Sequence, residues 1–298
     1  MSVVTRALGI PIDSVGAASE QAPPFGTEKI MPNALREAGL LDRLGLADDG
    51  DVDVRLVGPD RHPMSGLTAW PSLDAATRTI RTAVSELVSN GERPLVLGGC
   101  CALVPGAVAG LRDAKGGAAV VNVDGHLDLY DAKTSPTGEA ADVPMAALLD
   151  LGVPALTHAL APNPVVTPDH IALVGFRDYA EAAANESAMP VDVGISTTWD
   201  VDAVQADPTR VSHNVMAHLQ STPFWVHLDL DVLSEEVMPA TDYLMPGGLN
   251  LVQLSTLMHP LVRDPGFSGL SVACLSPDKD PEGSATAAVT QLLVDVLQ

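Results

Sequence analysis

Apolar, β-branched runs recur along the chain at Leu95–Leu97, Ala118–Val123, Ile171–Val174, Phe224–Leu228 and Leu270–Cys274. They lack the polar alternation of a half-exposed strand, so each reads as a strand covered on both faces, as in a parallel sheet between helices. Helix-period segments lie between or beside them: Pro32–Leu44, Leu73–Ser89, Val143–Leu151, Val201–Leu219, Leu251–Val262 and Ala285–Leu297. The alternation predicts an α/β chain of three layers, α/β/α, read as a single domain over 1–298. At 298 residues with 46% apolar content, such a chain can bury a core without disulfides or a structural metal. Aromatics make up only 3%, so that core must come from Ala, Val and Leu. The acidic run Asp48–Asp53 reads as a solvated turn. Glycines at 98, 99, 125, 138, 247, 248 and 283 fall just after strands or in the loops that follow, on the side where open parallel sheets bind ligands.

The charge balance narrows the partners. With 38 acidic against 16 basic residues, the net charge of -22 repels nucleic acid and anionic membranes and suits cationic small molecules and metal ions. No window reaches the roughly 18 uninterrupted apolar residues of a membrane helix. The first residues lack the apolar core of a signal peptide, so the chain is expected to be cytoplasmic. Cys100, Cys101 and Cys274 follow no disulfide spacing and are expected to be thiols.

Chemistry concentrates at two strand ends. Val123-Asp124-Gly125-His126-Leu127-Asp128 leaves an apolar strand with three ionisable side chains within five positions. In an extended chain Asp124, His126 and Asp128 share a side, which suits a divalent cation such as Mn²⁺, Fe²⁺, Ni²⁺ or Zn²⁺. Alone, this is equally a strand terminus with capping acids and a solvent-facing histidine. The second strand, Phe224–Leu228, also ends in alternating acids, Asp229 and Asp231. Four carboxylates at neighbouring strand ends would repel one another and be costly to desolvate without cations. Two divalent ions resolve that conflict.

These residues resemble the ureohydrolase family of arginases, agmatinases and formiminoglutamases. The family's D-A-H-x-D and S-x-D-x-D motifs are similar to DGHLD at 124–128 and HLDLD at 227–231, and its GGDH to Gly98-Gly99-Cys100-Cys101. Further similarity lies at 26–40, at Gly175–Asp178 (GFRD), at Pro239–Leu249 and from Ser276 to Ala287. The resemblance implies a central, mostly parallel eight-stranded sheet. It also implies a binuclear centre, usually of Mn²⁺ with Zn²⁺, Fe²⁺ or Ni²⁺ as alternatives, that hydrolyses a guanidinium-type carbon. By the motifs, Asp124 and Asp229 would bridge the ions. His126 and Asp231 would complete one site, and Asp128 with Cys101 the other. Asp128 would be the catalytic residue, orienting the attacking water and carrying its proton to the leaving amine. The family tends to trimers and hexamers, so a homo-oligomer is expected.

Departures from the pattern are as informative as the matches. Cys101 stands where the family has a histidine ligand, and sulfur favours Zn²⁺ or Fe²⁺ over Mn²⁺; otherwise it is a small apolar filler. Cys100 stands at a family Asp and is expected to pack. Cys274 aligns with the Glu that pairs with the guanidinium and cannot supply its charge. Asp242 is a candidate substitute, and Tyr130 a candidate substrate contact, while Ala141 and Ala180 stand where a proton-shuttling histidine and an amine-binding Asp are expected. His227 is expected to support the acid pair through hydrogen bonds. The expectation is a metal-dependent amidinohydrolase acting on a non-peptide C–N bond of a linear amidine (guanidino, hydroxyguanidino or formimino), not free arginine. The alternative is a catalytically silent metal-binding or assembly protein on the same fold.

Overall fold

The computed structural model describes residues 3–14, 27–58, 60–70, 72–220 and 222–298. Gly26, the first residue of one matched segment, lies outside them. Eight strands form one sheet: β1 (Arg6–Ile10), β2 (Ala47–Asp51), β3 (Pro94–Gly98), β4 (Ala119–Val123), β5 (Ile171–Val174), β6 (Thr197–Trp199), β7 (Phe224–Asp229) and β8 (Phe267–Ala273). Their order is β2-β1-β3-β8-β7-β4-β5-β6, and every neighbouring pair is parallel.

The two-faced burial inferred from the apolar runs is visible strand by strand. Leu95, Leu97, Val121, Val123, Val226 and Leu228 face one hydrophobic cluster, while Val96, Val120, Leu173 and Trp225 face the other. The period of two therefore sorts each run into two cores, one under each helix layer. The helices Pro208–Leu219, Leu251–Leu261 and Ser284–Leu297 cover the first face, and Ser72–Ser89 and Val104–Lys115 the second.

Several expectations need revision. The predicted helix over 32–44 is two helices, Met31–Glu37 and Leu40–Leu44, because Gly39 turns left-handed at φ 79°. The segment over 201–219 is likewise divided, because Asp207 caps a second helix that starts at Pro208 and accepts the Arg210 amide at 2.9 Å. The acidic run is not simply a turn. Asp48, Asp49 and Asp51 belong to β2, an edge strand whose exposed carboxylates pair with Arg36 (2.9 Å to Asp48, 2.5 Å to Asp51) and Arg6. Charged side chains on an edge strand also discourage pairing with another chain.

Candidate metal centre

The four middle strands, β3, β8, β7 and β4, end side by side, and their C-terminal ends deliver the chemistry. Cys101 follows β3, Cys274 follows β8, Asp229 closes β7 and Asp124 follows β4. The turn after β3 depends on Gly99. A Cβ there would lie 1.6 Å from the Ile12 carbonyl oxygen. With no side chain, the Cys100 amide donates to that oxygen (3.1 Å), and the Cys274 amide donates to the Gly99 carbonyl (2.7 Å). Three strand ends are thus laced together, and Cys101 is turned inward at the start of a helical turn. Cys100 is buried and accepts the Ser14 amide at 3.3 Å.

Two groups of metal-competent atoms result, each with all its members within 4.8 Å of one another. One joins Asp124, His126 and Asp231; His126 Nδ1 lies 2.9 Å from Asp231 Oδ2 and 3.7 Å from Asp124 Oδ1. The other joins Cys101, Asp124, His227 and Asp229. The Cys101 thiol donates to Asp229 Oδ2 at 2.6 Å, and His227 Nε2 lies 3.4 Å from Cys101 Sγ. Asp124 is common to both groups, as a bridging acid must be. Asp229, the other expected bridge, belongs to one. Asp128 belongs to neither; it lies on the wall of the same cavity, and the ring of His227 stands in the group where Asp128 was expected.

A backbone amide holds one oxygen of each of Asp124, Asp229 and Asp231, and Asn122 holds the second oxygen of Asp124. The His126 amide donates to Asp124 Oδ1 (2.7 Å), the Asp231 amide to Asp229 Oδ1 (2.8 Å), the Gly125 amide to Asp231 Oδ1 (3.1 Å) and Asn122 Nδ2 to Asp124 Oδ2 (3.1 Å). Arg177 and Asp178 tie the two acid loops to β5. The Arg177 amide donates to the Gly125 carbonyl (2.8 Å) and its Nη2 to the Asp231 carbonyl (2.7 Å), while Asp178 accepts the Leu127 amide (3.2 Å). Sequence reasoning matched GFRD but gave it no role. Its signal was the same as that of the acid motifs: charged residues just past a buried strand.

The electrostatics show what the donors lack. Burial raises the pKa of Asp124 against the hydrogen bond from His126, and burial with the charges of neighbouring carboxylates lifts those of Asp229 and Asp128 well above the carboxylate range. One oxygen of Asp128 is buried without a partner. Although the contact with Cys274 works the other way, burial and the charges of Asp229, Asp128 and Asp124 push the Cys101 thiol well up. For His126, burial is outweighed by Asp231 and Asp124, which raise its pKa; burial at Asp231 is in turn outweighed by His126, which holds that carboxyl below its usual value. Burial drops His227 to about 3, leaving the neutral imidazole that metals require. Without a cation, protons hold this cluster together. The donor set fits two divalent ions, which would replace them.

A cavity of about 100 Å³ opens onto Cys101, His126, Asp128, Asp229, Asp231 and Cys274. Its outer wall includes Tyr130, Asp142, Asp178, Glu181 and Tyr243. Tyr130 therefore stands where a substrate contact was expected, its hydroxyl accepting from Asn185 at 3.3 Å. Asp242 does not line this cavity. Its carboxylate is buried against Lys279 Nζ (3.0 Å) and the Ser276 hydroxyl. The negative charge proposed for a substrate cation is already matched by a lysine, whereas Asp178, Asp142 and Glu181 line the outer part of the cavity.

The model of the family described as the arginase family matches residues 5–297. An arginase of Bacillus caldovelox is 29% identical over 297 residues, covering 96% of this chain and 97% of that protein. An arginase of Staphylococcus aureus is 30% identical over 280 residues, covering 89% of this chain and 90% of its own length. The solved structure of the B. caldovelox arginase superposes with a TM-score of 0.85 at 25% identity, covering 99% of this chain and 98% of that one. A formimidoylglutamase of Bacillus subtilis shares the fold at TM-score 0.73 and 18% identity, covering 98% of this chain and 85% of that chain. Among the described residues, no helix is long and apolar enough to cross a membrane. The expectation that free arginine is not the substrate finds no support here, since the full-length relatives are named arginases.

Proposed function

Because the chain belongs to the arginase family of metal-dependent amidinohydrolases, we propose that it hydrolyses a non-peptide C–N bond in a cationic linear amidine. Guanidino, hydroxyguanidino and formimino compounds are the candidate substrates, and arginine belongs among those tested. One observation carries the reading: two strand ends cluster Asp124, His126, Asp229 and Asp231, with a further donor, Cys101, from a third, beside a cavity that Asp128 also lines. Asp124, His126 and Asp231 would hold one divalent ion, and Cys101, Asp124 and Asp229 the other. When bound, such ions supply Lewis acidity, which polarises the amidine and makes water nucleophilic at neutral pH.

The chain's own groups provide the rest. Asp128 lines the cavity, and one of its carboxylate oxygens is buried without a partner. It would orient the attacking water and pass its proton to the departing amine. Asp178, also with an unpartnered oxygen, joins Asp142 and Glu181 in a negative wall for the substrate's cation. Tyr130 and Tyr243 line the same cavity.

The test is a screen for urea, ammonia or formamide release across these compounds, with protein purified in Mn²⁺, Zn²⁺, Fe²⁺ or Ni²⁺. Release from at least one compound, absent in Asp229→Ala, is the expected result. Fewer than one tightly held ion per chain in every metal, with no release, would overturn the hydrolase reading and leave a catalytically silent assembly protein on the same fold.

A further inference from the structure

The two halves of the centre differ in chemical hardness. Asp124, His126 and Asp231 offer oxygen and one imidazole nitrogen. The other half gathers two sulfurs and an imidazole around Asp229. Cys101 Sγ lies 2.6 Å from Asp229 Oδ2, 3.4 Å from His227 Nε2 and 3.5 Å from Cys274 Sγ. Cys101, His227 and Asp229 are all buried, and Cys274 lines the cavity beside them.

The imidazole is oriented by a designed-looking support. Register pairs His227 on β7 with Ser271 on β8. The Ser271 hydroxyl meets His227 Nδ1 at 2.8 Å and accepts the Trp225 indole N–H at 2.9 Å. One ring nitrogen is thereby occupied, and the other is aimed at Cys101. This is how a ligating imidazole is normally held, through a partner on its non-ligating nitrogen.

We propose that this half is a thiophilic metal site, built from Cys101, His227 and Asp229 with Cys274 as a further donor. It would select Zn²⁺ over Mn²⁺, while the Asp124–His126–Asp231 half accepts a harder ion. Thiolate and imidazole together favour Zn²⁺, whereas Mn²⁺ is best served by oxygen donors. The centre is then heterometallic, with His227 supplying from β7 the imidazole that position 101 lacks. The inference rests on the reading that the chain holds two ions.

Co²⁺ titration of the full-length, reduced, metal-stripped protein tests it. Two ions per chain are expected, one of which brings a near-ultraviolet thiolate-to-cobalt absorption. One equivalent of Zn²⁺ should abolish that absorption, and an equal amount of Mn²⁺ should not. Cys101→Ser should remove most of the absorption while retaining the ion at the other half. Ser271→Ala, which leaves every ligand in place, should weaken Zn²⁺ binding about 10–100-fold. His227→Ser should weaken it further, with circular dichroism confirming the fold. Two bound Co²⁺ without thiolate absorption would overturn the thiophilic site and leave the binuclear reading standing. Unchanged absorption in Cys101→Ser, or equal displacement by Mn²⁺ and Zn²⁺, would also overturn it. Fewer than one bound ion would overturn both readings.

Discussion

Glu139 offers a test of the electrostatics away from the ligands. It is 3% exposed, with one oxygen accepting the Tyr243 hydroxyl at 3.0 Å and the other unpartnered. Burial, then the charge of Asp142, raises its pKa from 4.5 to about 8. In unfolded chains the group loses its proton near the lower value, and in the folded protein near the upper one. Between the two the folded state binds one more proton, so stability falls as pH rises; below that window there is no penalty, and above it the penalty is complete. At about 1.36 kcal/mol per unit, the full effect is about 3–5 kcal/mol. Glu139→Gln keeps the shape and the acceptor for Tyr243 but cannot ionise. Urea unfolding of both proteins between about pH 5 and pH 9 measures the difference, and titrations common to both cancel. The variant should gain on the wild type steadily across the window and level off above about pH 8. A difference that stays constant within about 1 kcal/mol would refute the assignment of a neutral, buried Glu139.

Asp229→Ala should lose metal retention and activity together, since Asp229 contacts Cys101 and belongs to the four-donor group; elemental analysis beside the activity assay would detect either surviving alone. Asp178, which burial raises to about 6, faces the cavity, so affinity for a cationic substrate should strengthen as pH rises through that value. Asp178→Asn should raise KM about 10–100-fold, the worth of a hydrogen bond to a charged group, and flatten that pH dependence while kcat changes less. Gly99→Ala should cost more than about 3 kcal/mol in urea unfolding, because the new Cβ meets a backbone oxygen at 1.6 Å. Gly117→Ala is the control, since a Cβ there meets nothing within 4 Å, and it should be nearly neutral.

The sheet's interior was legible because burial on both faces leaves an uninterrupted apolar run, as in β3, β4, β5, β7 and β8. The outer strands have no such signature. β2 reads ADDGD; its side chains are exposed, and it is bound to β1 through the backbone ladder and the Arg6–Asp49 pair. β6 is three residues long, and β1 opens on the half-buried Arg6 and carries Gly9 within it. The helix Val104–Lys115 was also missed. Its Pro105, Gly106 and Gly110 argue against a helix by propensity. The structure shows why the glycines are there: a Cβ at 106 would lie 2.9 Å from Ile80 Cβ, and one at 110 would lie 2.7 Å from the Arg81 carbonyl oxygen. Bare backbone lets this helix press closely on Ser72–Ser89, and tertiary packing overrides propensity.

The site divides along the same line between local and distant information. Asp124, His126, Asp229 and Asp231 stand out because each pair lies two positions apart at the end of one apolar strand. Cys101 and His227 are 126 positions apart and meet because β8 and β7 follow β3 in the sheet order. Read separately, a cysteine in place of a histidine looks like loss of a ligand, and a histidine in place of the serine of S-x-D-x-D looks like a supporting group. Adjacency makes them one change: the end of β3 carries a sulfur in place of an imidazole, and an imidazole from β7 reaches that sulfur. Asp242 shows the converse. A carboxylate near the closing loop looked free for a substrate cation, but Lys279, thirty-seven positions on, already faces it. Charge in a sequence can be counted by residue, but whether it is available depends on what the fold places against it.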